Sequence, residues 1–318
     1  MSKKSKIFRL FLITLLLLLL TTKPLSSSQK DAIVEKYLYT IEKIYFENIF
    51  TNNEIYSVKD LKDYFVKKIN VKNINEAFKE TIYTFIKDPY LEIKDRDIFV
   101  VNYYQERKAE DDIKIQVIKL NELKVYYINF VDISPNMARK YKEYLSNELN
   151  KTDKEIVIII DLTNNFGGSL WSAAFFTSLF LEPNTYLFSV NFKKKGKIKT
   201  QNFYSSEDYS GYFRKNFIAI LQDDTTASSA EVISGVLKRK CLVFGDLTYG
   251  KPYIQSVIEL DQMIIIYTNG FLNFSLELEP HQKIKPDFYL SRKEIESKSI
   301  TNLVVKIYIF LRSMLNGG

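Results

Sequence analysis

Residues 155–162 (EIVIIIDL) constrain the fold more than any other part of this chain. Five β-branched residues run without interruption from Ile156 to Ile160, so a strand here carries apolar side chains on both faces. Such a strand needs cover on both sides, which calls for helices above and below a largely parallel sheet. The flanking pattern agrees. Strands are predicted over 98–104, 113–120 and 124–130, and a helix over 136–149. After the apolar run come the turn Asn164-Asn165-Phe166-Gly167-Gly168 and an apolar helix over 170–181, whose Trp171, Phe175, Phe176 and Phe180 read as core. A strand over 217–221, a helix over 228–237, a strand over 241–244 and a hairpin of 254–260 with 263–268 follow, and the alternation predicts an α/β protein. Lys193-Lys194-Lys195-Gly196-Lys197 reads as a solvated hairpin turn.

Upstream the pattern is helical. Ile33, Tyr37, Ile41, Ile44, Tyr45 and Ile49 recur at spacings of three and four. Further helices are predicted over 58–69 and 75–86, the last stopped by Asp88-Pro89, because the residue before proline avoids the α region. Residues 301–315 predict a final helix with Leu303, Val304, Ile307, Phe310, Leu311 and Met314 on one stripe, widened by Val305, Ile309 and Leu315. Cover for so broad a stripe is expected from the N-terminal helices or from a second copy of the chain.

One cysteine, Cys241, excludes a disulfide scaffold and a cysteine-rich zinc site, and reads as a buried inert thiol. One histidine, His281, reads as a surface residue and weakens any mechanism built on histidine. Neither a metal nor a cofactor is expected. The formal charge of +7 is misleading as a sign of nucleic-acid binding. Five of the 45 basic residues (Lys3, Lys4, Lys6, Arg9 and Lys23) fall within residues 1–28, which carry no acid, leaving 40 against 38 acidic residues. That basic start, the apolar stretch 10–20 and the small-polar exit ending at Ser28 predict a secretory signal peptide, with an uncleaved anchor as the alternative. The expected organisation is a signal segment over 1–28, a helical segment over 29–90 and a core over 91–318, located in the periplasm or cell envelope.

Chemistry concentrates at three places. Asn164 to Gly168 and Gly245 to Lys251 are glycine-containing turns after buried strands, where backbone amides can meet an anion or a developing oxyanion. A phosphate loop is excluded, because Pro252 follows Lys251. Between them, Thr225-Thr226-Ala227-Ser228-Ser229-Ala230-Glu231 leads into a helix, and Glu231 stands where a capping box with Ser228 places its acid. Without a usable histidine, a serine nucleophile needs a lysine base made neutral by desolvation.

These segments resemble peptidase family S41, the C-terminal processing or tail-specific peptidases. Residues 158–170 (IIIDLTNNFGGSL) resemble the family's strand and Gly-Gly turn, 227–231 its nucleophile segment, and 242–255 (LVFGDLTYGKPYIQ) its lysine block. Residues 284–287 (IKPD) resemble its closing motif, and 77–91 (AFKETIYTFIKDPYL) its pre-core helix. The resemblance implies a ClpP/crotonase-like ββα spiral core and a serine endopeptidase. By position it implies Ser228 as nucleophile, Lys251 as base and Gln255 orienting the amine. Oxyanion donors would come from the Gly167–Gly168 turn and from Ser229. Ser228 is preferred to Ser229 because it lies three residues before Glu231. Thr163, Phe166 and Pro252 depart from the family pattern, and the stretch between Tyr90 and Val125 has no room for a PDZ domain. A protein or peptide substrate is implied. The alternative is a catalytically inactive relative that binds peptides or acts as an envelope scaffold.

Overall fold

The computed structural model describes residues 27–51, 55–69, 72–98, 114–120, 123–149, 156–208, 210–213, 215–273, 283–297 and 299–316. Residues 1–26 of the expected signal segment, most of the strand expected over 98–104, and His281 lie outside the described residues. Among those described, no helix is long and apolar enough to cross a membrane.

The chain forms two compact units. The first takes the described residues up to Tyr45 together with Asn52–Ile86, and holds α1 (Ser27–Glu47, as far as Tyr45), α2 (Val58–Ile69) and α3 (Ile74–Phe85). Asn73 caps α3 by accepting from the Glu76 N–H at 2.9 Å. The residues at three-and-four spacing do what the pattern requires: Tyr37, Ile41 and Ile44 bury with Leu61, Phe65, Phe78 and Ile82.

The second unit takes Phe46–Thr51 and everything from Lys87 onward. Its larger sheet has the order β11-β8-β7-β4-β3-β2, where β2 is Lys114–Leu120, β3 Leu123–Asn129, β4 Val157–Asp161, β7 Phe217–Gln222, β8 Leu242–Gly245 and β11 Phe288–Tyr289. All neighbours pair in parallel except β2 with β3. Parallel neighbours need crossovers. Those from β3 to β4, β4 to β7 and β7 to β8 contain α4 (Pro135–Leu149), α5 (Leu170–Ser178) and α6 (Ser229–Leu237), while that from β8 to β11 passes through strands of the second sheet. The apolar run behaves as its sequence demands: Ile158 and Ile160 bury in the cluster with Phe176, Phe180 and Val236, while Val157 and Ile159 bury in the cluster on the other face. The mixed α/β class is therefore as expected.

A second sheet runs β1-β10-β5-β6, with β9 also pairing β10; the strands are β1 (Glu92–Asp95), β5 (Tyr186–Lys194), β6 (Lys197–Tyr204), β9 (Tyr253–Leu260) and β10 (Met263–Asn273). Lys195 and Gly196 form the hairpin tip, but Lys193 is not solvated: it is buried, and its ammonium donates to the Asn48 carbonyl at 3.1 Å. Cys241 is buried, and burial pushes its thiol up. Two other expectations are corrected. Trp171 is 67% exposed, because α5 is apolar all round and turns Phe176, not Trp171, into the core. Of the final helix, α8 (Ile300–Asn316), which follows α7 (Arg292–Ser297), Leu303, Val304 and Ile307 take their cover from the large sheet of their own unit, packing among Val125, Val157, Ile159 and Leu221. Ile309 is left 60% exposed. Truncating Ile307 to Ala is expected to cost about 2–5 kcal/mol in chemical denaturation, because it empties a site with no exposure. Ile309→Glu is expected to stay within about 0.5 kcal/mol of the parent, because that side chain already meets water.

Candidate active site

Three loops leave the carboxyl ends of adjacent parallel strands: residues 162–169 after β4, 223–228 after β7 and 246–252 after β8. That edge of an open α/β sheet is where ligand sites gather. The loops are stitched together by backbone bonds through the middle one. The Ala227 N–H donates to the Asn165 carbonyl at 3.0 Å, and the Tyr249 N–H donates to the Thr226 carbonyl at 2.9 Å. Asp223 accepts from the N–H groups of Thr225 (3.1 Å) and Thr226 (3.0 Å) and from both of their hydroxyls, which winds the segment before Ser228 into a tight turn.

Ser228 sits on that turn at φ 57°, ψ −122°, a conformation costly for any residue with a side chain. It is partly exposed, whereas Ser229 is fully buried and its hydroxyl finds no partner among the described residues. The expected acid of the capping box does more than cap. The fully buried Glu231 carboxylate accepts from the Ser228 N–H at 2.9 Å, the Lys251 N–H at 2.9 Å and the Gly250 N–H at 2.8 Å. Ser228 and Lys251 donate to the same oxygen, so their backbone nitrogens lie within about 6 Å of each other, given bonds of this length. Burial raises the Glu231 carboxyl, against these hydrogen bonds and one from the Thr248 side chain.

Lys251 is half-buried, and burial pushes its amine down from 10.5 while the carboxylates of Glu92 and Asp88 oppose the shift. Its Nζ donates to Gln255 Oε1 at 3.1 Å and lies 5.2 Å from the centre of the Tyr90 ring. Among the described residues no hydrogen bond joins Lys251 Nζ to Ser228 Oγ, and Gln255 flanks the amine. Gly167 packs against the serine turn so closely that a Cβ there would meet Ser228 Cβ at 2.8 Å. Its own N–H is committed to Asn165 Oδ1 at 2.8 Å.

Among the departures, Thr163 is tied back to Asp161 by its N–H (2.8 Å) and its hydroxyl (2.7 Å), Pro252 is buried, and Phe166 is 74% exposed beside the glycines. Trp171 and Phe175 line a groove of about 190 Å³ with Pro135, Ala138 and Arg139. Sequence reasoning missed Asp223, Tyr90 and the clamping role of Glu231. The Asp-Asp-Thr-Thr run is a turn signal that points to the first, while the other two are set by long-range packing. Among the described residues no group of His, Cys, Asp and Glu could hold a metal ion.

Comparisons with known proteins agree on this architecture. Residues 118–290 match the model of Peptidase family S41. A protein of Staphylococcus saprophyticus named as a probable CtpA-like serine protease is 30% identical over 167 residues, covering 50% of this chain and 33% of that protein. Its namesake in Staphylococcus aureus (strain COL) is 26% identical over 246 residues, 74% of this chain and 47% of that one. The chain thus spans less than half the length of these relatives. Among solved structures, a photosystem II D1 C-terminal processing protease superposes with a TM-score of 0.62 at 15% identity, over 84% of this chain and 94% of that chain. A lipoprotein from Streptococcus agalactiae superposes with a TM-score of 0.60 at 18% identity, over 83% and 94%. At such identities the likeness is one of fold.

Proposed function

The chain belongs to peptidase family S41, and from that premise we propose that it is an exported serine endopeptidase acting through a Ser228–Lys251 dyad. The observation that carries the reading is the shared Glu231 clamp. One buried carboxylate holds the backbones of a strained serine and of a half-buried lysine whose amine is lowered by burial. Neutral Lys251 takes the proton of Ser228 Oγ as the oxygen attacks a peptide carbonyl. The N–H groups of Gly168 and Ser229 receive the oxyanion. The lysine then passes the proton to the departing amine, and a water molecule, deprotonated by the same amine, hydrolyses the acyl-enzyme. Gln255 Oε1 keeps the amine in place throughout.

Hydrolysis of casein or a fluorogenic peptide tests this. Activity should rise with pH, with a midpoint below the 10.5 of an ordinary lysine. Folding carries the same sign. The unfolded chain holds the Lys251 proton more tightly, so this residue's penalty on stability is full below the folded midpoint and is relieved as pH climbs toward 10.5. A pure, folded protein inactive across that range favours the scaffold reading instead. Export rests on residues 1–28 alone. N-terminal sequencing of the protein from its native source should return a chain starting near Gln29.

A further inference from the structure

Asp88 lies in the turn that follows the first unit and is 8% exposed. Its carboxylate is saturated with donors. Oδ1 accepts from the Tyr90 N–H at 2.9 Å and the Thr268 hydroxyl at 3.0 Å. Oδ2 accepts from the Thr268 N–H at 2.6 Å and the Asn48 side-chain amide at 2.8 Å. Two of these partners lead to the same residue. Thr268 stands directly opposite Gln255 in the β9–β10 ladder, at the edge of the irregularity between Thr268 and Gly270. The Tyr90 carbonyl accepts from Gln255 Nε2 at 3.1 Å. A carbonyl can only accept, so it turns the Gln255 amide with its nitrogen toward Tyr90 and its oxygen toward Lys251 Nζ. A flipped amide sets carbonyl against carbonyl and loses both bonds.

We propose that Asp88 is a positioning residue for the peptidase centre: by fixing the Tyr90 turn and the strand position opposite Gln255, it holds the Gln255 amide in the one orientation that presents an acceptor to Lys251. This rests on the Ser228–Lys251 reading above. Asp88 acts through Gln255 and touches no reacting atom. The groups that face Lys251 are the Tyr90 ring, Glu92 on β1, Asp88 and Gln255, with Tyr249, Tyr253 and Glu231 around them.

A double-mutant cycle tests the route. Asp88→Asn keeps the size of the side chain but sets an NH₂ against two donors, and is expected to lower kcat roughly 10- to 100-fold with KM changed less than about twofold. In a Gln255→Ala background the same substitution should cost less than about threefold, because its target is gone. Multiplicative losses overturn the proposal. A second readout does not depend on hydrolysis: the rate of acylation of the Lys251 amine by acetic anhydride against pH, followed by mass spectrometry. Its midpoint should move down in Asp88→Asn, and by less in a Gln255→Ala background, where only the lost Asp88 charge acts on the amine. An equal shift in the two backgrounds, or none, overturns the proposal. A shift that depends on Gln255 in a protein with no peptidase activity retains the positioning role and removes the peptidase reading. Should Asp88→Asn fail to fold, Thr268→Val deletes one donor while keeping the shape and the Asp88 charge, and the same cycle in kcat applies, with multiplicative losses again overturning the proposal.

Discussion

Ser228→Ala is expected to abolish peptide hydrolysis, with kcat/KM falling by at least about 10³-fold, while the thermal midpoint stays unchanged or rises slightly. Alanine at φ 57° and ψ −122° bears the same backbone strain as serine, so the loss falls on the reaction and not on the fold. Lys251→Ala and Lys251→Arg should lose as much activity, the second because guanidinium does not release its proton in a protein. The neighbouring serine is the control. Ser229 has a buried hydroxyl with no partner, so Ser229→Ala removes an unsatisfied group and keeps the backbone N–H. That variant should keep most of the activity and lose no stability. Loss in Ser229→Ala with retention in Ser228→Ala would reverse the assignment of the nucleophile.

Substitution of Glu231 should damage both fold and activity. Its carboxylate collects three backbone N–H groups from the serine and lysine segments, and none of the three has an obvious substitute acceptor. Each orphaned buried donor costs about 1–3 kcal/mol, so Glu231→Ala is expected to lower stability by roughly 3 kcal/mol or more in denaturant titration. Glu231→Gln restores one acceptor oxygen but turns an NH₂ toward donors, and should fall between. Activity per folded molecule should drop by at least about 10²-fold in either variant, because the clamp ties the backbones of Ser228 and Lys251 to one carboxylate oxygen. Full activity in the folded fraction would show that the two segments keep their spacing without the clamp.

The parts legible from sequence were those encoded locally. The uninterrupted apolar run at 156–160 announced a strand buried on both faces, and the order Gly-Gly turn, serine helix, lysine loop announced three loops at one sheet edge. What stayed hidden depends on which surface meets which. Helix α5 is apolar on every side, so no pattern could say that Trp171 faces out and Phe176 in. Lys193 sits in a lysine-rich turn, and only the approach of Asn48 makes it a buried group. The stripe on α8 was readable, but its cover is gathered from strands spread along the chain from Val125 to Phe244. Glu231 was visible as a cap, yet its hold on Gly250 and Lys251 spans about twenty residues and leaves no periodic trace.

The placement of α8 also bears on how the molecule can be made. Val125, Tyr127, Val157, Ile159, Ala219 and Leu221 form one face of the large sheet, and that face is closed by Leu303, Val304 and Ile307. During synthesis Leu303 emerges 82 residues after Leu221, so this face of the sheet stays uncovered over that interval. A parallel sheet with an open apolar face is slow to settle and prone to stick to its neighbours. The face is therefore expected to close only once α8 is free to dock on it.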